Sequence, residues 1–570
     1  MRIPLRILPC VLALALLSGC FRRPEVVAQV HADPARPSSA FLFEDVYDKS
    51  GIDFKITKPT GPNNILEAMG HGVALIDFEG DGKLGLLLLG PDRVSLYRNR
   101  GGFQFEDVTA YAGFRQKGYW SGVAVGDYDN DGRPDIFLCG YNCSALYHND
   151  GGGRFTEVTV RAGVGVRPPH TGGVPEWRTS AGFVDYDKDG KLDLFICRYA
   201  EFGPRSPQLC PNGTGNERSS CSPDVYSPQK CLLYRNLGGG RFEDVSVKTG
   251  VARTSGRALA VAFGDYDNDG WTDIAVANDE LAGDLLHNQA GKGFVNVGVA
   301  SGTALNTNGH VHGGMGVDWM DYDGDGRQDL FVSTYQNEAK NLFHNQGHGL
   351  FVDASLDAGL AERMDPWVSF GTKFLDYDRD GFADLIVTSG HVINNTAKIY
   401  PDTHQRQPVQ LFHNTGGVFK ETTDLLGPKA RRPLVGRSLV IGDLDNEGRL
   451  DVVISQNEGV PLILRNLSTD TNHWLSLRLV GSQSNRDGFG ARIEVSAGGR
   501  KQIRDATNSG SYLAAGDPRV FFGLGSAEKA DVTVKWPSGH TQSFVGLQGD
   551  RIYRLDEAGG TPVVLSNSRP

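Results

Sequence analysis

Carboxylates recur along this chain at a spacing that suits a hard cation. The clearest copy is Gly264-Asp265-Tyr266-Asp267-Asn268-Asp269-Gly270-Trp271-Thr272-Asp273, with carboxylates at loop positions 1, 3, 5 and 9 and glycine at position 6. Alternate side chains of a tight loop converge on one point, a main-chain carbonyl near position 7 can add a ligand, and glycine permits the sharp turn. Without a cation, carboxylates crowded in this way repel one another. Four further loops keep all four aspartates: Asp127, Asp129, Asp131 and Asp135; Asp185, Asp187, Asp189 and Asp193; Asp321, Asp323, Asp325 and Asp329; Asp376, Asp378, Asp380 and Asp384. The last loop substitutes one glutamate, in Asp443, Asp445, Glu447 and Asp451. The first is degraded: Asp77, Glu79 and Asp81 are present, but Gly85 stands where the fourth carboxylate belongs. Oxygen-only donors favour Ca²⁺ over a transition metal, which calls for His or Cys, and over Mg²⁺, which keeps its water and needs stricter geometry. One such loop is an ordinary Asx-rich turn. Seven in register predict six Ca²⁺ clamps of structural purpose and a seventh that binds weakly or not at all.

The loops need strands on both sides, and the sequence supplies them. Leu259–Phe263 leads into the loop at Asp265 and Ile274–Val276 leads out. A second signature follows each loop, an aromatic or leucine shortly before Asn and then glycines, around Asn99, Asn149, Asn236, Asn288, Asn345, Asn414 and Asn466. Most copies run on into Phe-x-Asp/Glu-Val, as at Phe105–Val108 and Phe242–Val245. A repeat of roughly 50 to 60 residues made of short strands and turns has the size of a propeller blade. No such copy follows Asn466, yet an unpaired one, Phe43–Val46, precedes the first loop. The N-terminal strand is therefore expected to complete the last blade, closing a ring of seven and removing its exposed edges. The predicted fold is all-β: a seven-bladed β-propeller over 41–467 and a small β-sandwich over 468–560, with 561–570 as a tail. Alternating runs such as His473–Leu479, Ala491–Val495 and Asp531–Trp536 carry the sandwich.

These Asp-x-Asp-x-Asp-Gly-x-x-Asp loops resemble the FG-GAP or VCBS repeats of integrin α-subunit propellers. The C-terminal stretches Ser484–Arg492, Gly510–Leu513, Phe522–Gly525 and Trp536–Gly539 resemble the ASPIC/UnbV domain. Together they resemble the cartilage acidic protein family, including its bacterial members. The resemblance covers nearly everything after residue 40 and implies the fold and calcium binding. It implies no agreed biochemical activity.

The N-terminal 1–19 read as an export signal, with Arg2 and Arg6 ahead of an apolar run from Ile7 to Leu17. Leu17-Ser18-Gly19-Cys20 resembles a bacterial lipobox, which implies cleavage before Cys20 and lipidation of that cysteine. Residues 20–40 would be the tether. The expected localisation is an exported lipoprotein of the cell envelope, at the outer membrane, held by the Cys20 lipid alone. Six cysteines remain in the mature chain, Cys139, Cys143, Cys197, Cys210, Cys221 and Cys231, and predict up to three disulfides of unspecified pairing. A formal charge of −11 argues against nucleic acid as a partner.

If each acidic loop joins the innermost strand of a blade to the next, the residues entering the innermost strands gather at the opposite face. Those are Trp120, Trp177, Arg178, Arg257, His310, His312, Trp367 and Arg437. Aromatics and cations on one concavity are candidate ligand contacts, for an extracellular glycan or protein; the plainer alternative is that they pack and hydrogen-bond at the channel mouth. Catalytic signatures are lacking: the chain has no Gly-x-Ser-x-Gly, no His-Glu-x-x-His and no phosphate loop. The sequence therefore favours a calcium-stabilised binding or adhesion module, with a polysaccharide lyase or hydrolase using the same face as the alternative.

Overall fold

The computed structural model describes residues 41–166, 174–212, 217–400 and 402–567. The export segment, Cys20 and the tether lie outside the described residues. Seven four-stranded antiparallel sheets follow one another along the chain. In the first six the strands are ordered as in the sequence. The seventh takes Gly436–Gly442, Asp451–Gln456 and Leu462–Asn466 and is completed by Phe43–Asp45, with Phe43 opposite Asn466 and Asp45 opposite Leu464. The ring of seven blades thus closes with the strand of unpaired signature.

Composition along each strand follows its depth. The first two strands of a blade are buried on both faces and carry continuous apolar runs, as in Leu259–Phe263 and Ile274–Ala277. The fourth strand is an edge that alternates: in Arg241–Asp244 only Phe242 is buried. Between neighbouring sheets these side chains interdigitate, so that Ala74, Leu87 and Leu96 of blade 1 share one core with Val123, Ile136 and Tyr147 of blade 2.

The C-terminal region is a sandwich of two four-stranded sheets. One orders Val520–Gly525, His473–Val480, Arg551–Asp556 and Val563–Asn567, with the middle pair parallel; the other orders Arg500–Asp505, Arg492–Ala497, Lys529–Lys535 and Thr541–Gln548. Its fourth strand, Val563–Asn567, comes from the stretch assigned as a tail.

The sandwich also fills the ring. Segment Asn508–Gly516 runs down the channel against the innermost strands. Ser511 exchanges main-chain hydrogen bonds with Val317, Gly510 N donates to Val261 O, and Ala515 pairs with Val73 and Leu75. Tyr512 is fully buried, donates to Met69 O at 2.8 Å and meets the Phe370 ring edge-on at 4.9 Å. Ser511 and Leu513 sit at φ 68° and 57°. Non-glycine residues hold such angles only where their surroundings over-determine them, and here channel strands surround the segment.

Within blade 3, between its second strand (Asp193–Arg198) and its third (Leu232–Gly238), an insertion is stapled by the disulfide Cys210–Cys221. One of the up to three expected bridges is thus present, and Cys139, Cys143, Cys197 and Cys231 are free thiols. Cys139, Cys197 and Cys231 are fully buried and behave as small apolar side chains of blades 2 and 3, and burial pushes the Cys139 thiol up to about 12.

Candidate metal centres

Each acidic loop links the innermost strand of its blade to the second. Its backbone is fixed at two points, because position 4 and position 6 are left-handed in all seven copies. Position 4 is Gly80, Asn130, Lys188, Asn268, Gly324, Arg379 or Asn446, and position 6 is always glycine. The position 1 carboxylate accepts from the amides of the turn, as Asp127 does from Asp131 (3.0 Å) and Gly132 (2.7 Å). The position 9 carboxylate accepts from position 2, as Asp135 does from Tyr128 (3.2 Å), and from the signature asparagine, Asn149 (2.7 Å). These bonds aim the remaining oxygens at one another, and Asp127, Asp129 and Asp135 present theirs within 4.8 Å.

The signature asparagine has a task that its position in the sequence did not reveal. Its side-chain amide donates to the position 2 carbonyl of the preceding blade in every case: Asn149 to Phe78, Asn236 to Tyr128, Asn288 to Tyr186, Asn345 to Tyr266, Asn414 to Tyr322, Asn466 to Tyr377, and Asn99 across the ring closure to Leu444. Except at Asn466, it also donates to position 8 of its own loop, as Asn345 does to Gln328 O at 3.0 Å. Loop and ring are therefore latched by one residue. We expect Asn345→Ala to cost about 3 kcal/mol in urea unfolding, because two buried carbonyls lose their donor; a cost under about 0.5 kcal/mol would refute the latch.

The residue before each asparagine leans over the carboxylates: Arg98, His148, Arg235, His287, His344, His413 or Arg465. His344 Nδ1 lies 3.1 Å from Asp329 Oδ1, Arg235 Nη2 2.8 Å from Asp187 Oδ2 and Arg98 Nε 2.7 Å from Glu79 Oε2. In four loops, then, an imidazole joins a donor set expected to be oxygen alone. Arginine cannot ligate a metal yet fills the same place in three loops, so the shared property is positive charge. The carboxylates at 129, 135, 267, 273, 323 and 329 pull the neighbouring imidazole pKa values up, first through the hydrogen bond to position 9.

Burial opposes charge at these carboxyls. It pushes Asp127 up to about 8, with Asp487 of the sandwich adding repulsion, and Asp135, Asp185, Asp265, Asp273, Asp329 and Asp443 up to about 7. Burial also raises Asp193, Asp376, Asp384 and Asp451 well above the ordinary carboxylate value. Among the described residues, the buried oxygens Asp187 Oδ1 and Asp376 Oδ1 have no hydrogen-bond partner. Crowded carboxylates with orphaned oxygens fit a cation, and the donors are those a hard one prefers.

Loop 1 differs in more than one residue. A Cβ at position 85 would lie 2.7 Å from the Phe78 ring and 2.8 Å from Tyr97 O, so there is no room for the missing carboxylate. Lys83 and Arg98 pair with Asp81 and Glu79, as Lys191 and Arg235 pair with Asp189 and Asp187 in loop 3. Gly85→Asp is thus expected to add no bound metal and to cost roughly 1–3 kcal/mol by overpacking, read by metal content and thermal melting; an added ion at unchanged stability would overturn this.

The residues expected at the opposite face are mostly interior. Trp120, Trp177, Arg178 and Arg437 are 0–1% exposed. Arg437 donates to the carbonyls of Ala68, Gly390 and Gly436 and lies 4.0 Å over Phe370. Arg178 donates to Glu176 and to Val164 O and Gly165 O. Trp177 packs on Tyr199, with ring centroids 4.8 Å apart. Buried and bonded in this way, these four line no open concavity. Arg257 (φ 49°) and His312 are buried as well, Trp367 is half-buried, and only His310 is exposed.

Seven latched blades, acidic loops on one face and a sandwich threaded into the channel define a propeller–sandwich unit with repeated candidate cation sites. The chain belongs to the family of FG-GAP repeat proteins with a C-terminal ASPIC/UnbV domain: the FG-GAP-like repeat matches 77–138, 129–196, 222–276, 265–332 and 321–387, and ASPIC and UnbV matches 481–562. It is 25% identical to Cartilage acidic protein 1 of Mus musculus over 369 residues (63% of this chain, 51% of that protein). The protein of the same name from Homo sapiens is 24% identical over 371 residues (63% and 50%). The chain spans about half the length of these two relatives. Among solved structures, BP39L lectin from Burkholderia pseudomallei is 11% identical, with a TM-score of 0.42 over 70% of this chain and 97% of its own.

Proposed function

We propose that the protein is a calcium-stabilised binding module, an exported lipoprotein held at the cell envelope by Cys20, that takes an extracellular glycan or protein. The observation that carries the calcium reading is the same carboxylate frame built six times, with buried oxygens at Asp187 and Asp376 left without a donor. Six divalent ions would also offset all but one of the 13 net negative charges that remain once Arg2 and Arg6 leave with the export segment. The role is structural, since each ion would sit between strands of one blade rather than in an open cavity. Metal analysis after equilibration against Ca²⁺, Mg²⁺ and Zn²⁺ tests it: six Ca²⁺ per chain are expected, and retention of Zn²⁺ in preference to Ca²⁺ would overturn it. The binding role is tested by retention of the whole protein on immobilised extracellular glycans and matrix proteins, and its absence on all of them would count against it.

A further inference from the structure

The sandwich covers six of the seven acidic loops. Asp487 accepts from Asp127 N of loop 2 and Asp505 from Asp265 N of loop 4. Arg492 and Arg500 donate to carbonyls of loops 5 and 6, and Arg519 to Asp443 O of loop 7. On loop 3, Asn485 reaches Asp185 at 3.5 Å. Loop 1 makes no hydrogen bond to the sandwich among the described residues, and Glu79 to Lys83 are exposed. In place of contact there is a cleft of about 660 Å³ between loop 1 and the sandwich. That volume is in the range of small-molecule sites, roughly 300–1,000 Å³.

The lining is charged and balanced, with five cationic and five carboxylate side chains. Most are already paired: Arg478–Asp487 at 2.8 Å, Arg519–Asp517 at 2.7 Å, Arg554–Asp556 at 3.1 Å and Lys83–Asp81 at 3.2 Å. Asp77 is held by the amides of its own loop, and Arg486 by Gly481 O. One buried donor of the lining, Arg478 Nη1, has no hydrogen-bond partner among the described residues. Val480, Ile552 and Leu565 add apolar surface.

We propose that this cleft binds a neutral mono- or disaccharide through adjacent hydroxyls. A guanidinium beside a carboxylate offers a donor and an acceptor side by side, and vicinal hydroxyls can answer both at once. A balanced lining sets up no net field to draw in an ion, and the apolar residues offer a surface to the C–H face of a sugar. The degraded loop and the open cleft then belong together: the one loop released from metal binding is the one that borders the site. This rests on the reading of the protein as a binding module.

The test is saturation-transfer NMR on the whole protein with lactose, maltose, cellobiose and N-acetylglucosamine, beside galacturonate and glucosamine as charged counterparts. The expected result is binding of at least one neutral probe, weakened roughly tenfold or more by Arg478→Gln, which removes the buried unpartnered donor, and abolished by Ser566→Trp, which sets an indole into the cleft. Melting curves check that both variants fold; should one fail to fold, the other decides. Binding by no neutral probe, preference for a charged one, or unchanged affinity in the folded variants each overturns the proposal. If both variants are still retained on the glycan or protein arrays while the cleft probes fail, the binding-module reading stands and the cleft falls. If the wild type is retained on no array, that reading falls independently.

Discussion

Chelation by EDTA is expected to lower the melting temperature of the whole protein by on the order of 7 °C. At ten times Kd each site adds about 1.4 kcal/mol, so six add roughly 8 kcal/mol. The unfolding entropy of a unit this size, about 1.1 kcal/mol/K, converts that to the stated shift. The effect should depend on pH, with a sign set by the raised carboxyls. Asp127 titrates near 8 and Asp135, Asp265 and Asp329 near 7 in the folded, metal-free state, against 3.8 as the ordinary value. The folded state then holds protons that the unfolded chain releases. That stabilisation is complete below about pH 4 and is lost as pH rises toward about 8. Metal-free protein is therefore expected to melt higher at about pH 5.5 than at about pH 8, and bound Ca²⁺ to remove the difference. Calorimetry with and without EDTA at both pH values measures this. An unchanged melting temperature on chelation at pH 8 would sink the calcium reading.

Tyr512→Ala should cost about 4 kcal/mol, the range for emptying a large aromatic site in a packed interior. Its ring seals the channel against Phe370, Met69 and Tyr199, and its hydroxyl holds Met69 O. Tyr512→Phe, which keeps the ring and frees one buried carbonyl, should cost roughly 1–2 kcal/mol. Urea unfolding of both variants separates the two contributions. A Tyr512→Ala variant as stable as wild type would mean that the segment is a passenger rather than a plug.

The same contrast between local and distant contacts explains what could be read in the chain. The latching asparagines were visible as a repeat, but their partners lie in the preceding blade, 71 to 108 residues away for six of them and 345 for Asn99. The His or Arg before each asparagine was equally visible, and only pairing of the second and third strands carries it over the loop. Burial misled the reading of the opposite face: Trp177, Arg178 and Arg437 look like ligand contacts when the ring is imagined hollow. The cysteines divide for a related reason: Cys210 and Cys221 bridge, whereas Cys139, Cys197 and Cys231 serve as core, and only burial tells them apart.

The sequence by itself determined the blades, their number, the closing strand and the carboxylate loops. Those rest on short-range chemistry: residues that tolerate left-handed backbone at fixed positions, carboxylates at alternating ones, and apolar runs of strand length. Tertiary structure alone decided that the sandwich docks on the acidic face, covers every loop but the first and sends Tyr512 into the channel. Those contacts join residues as many as 443 apart, and no local pattern encodes which distant surface will be desolvated.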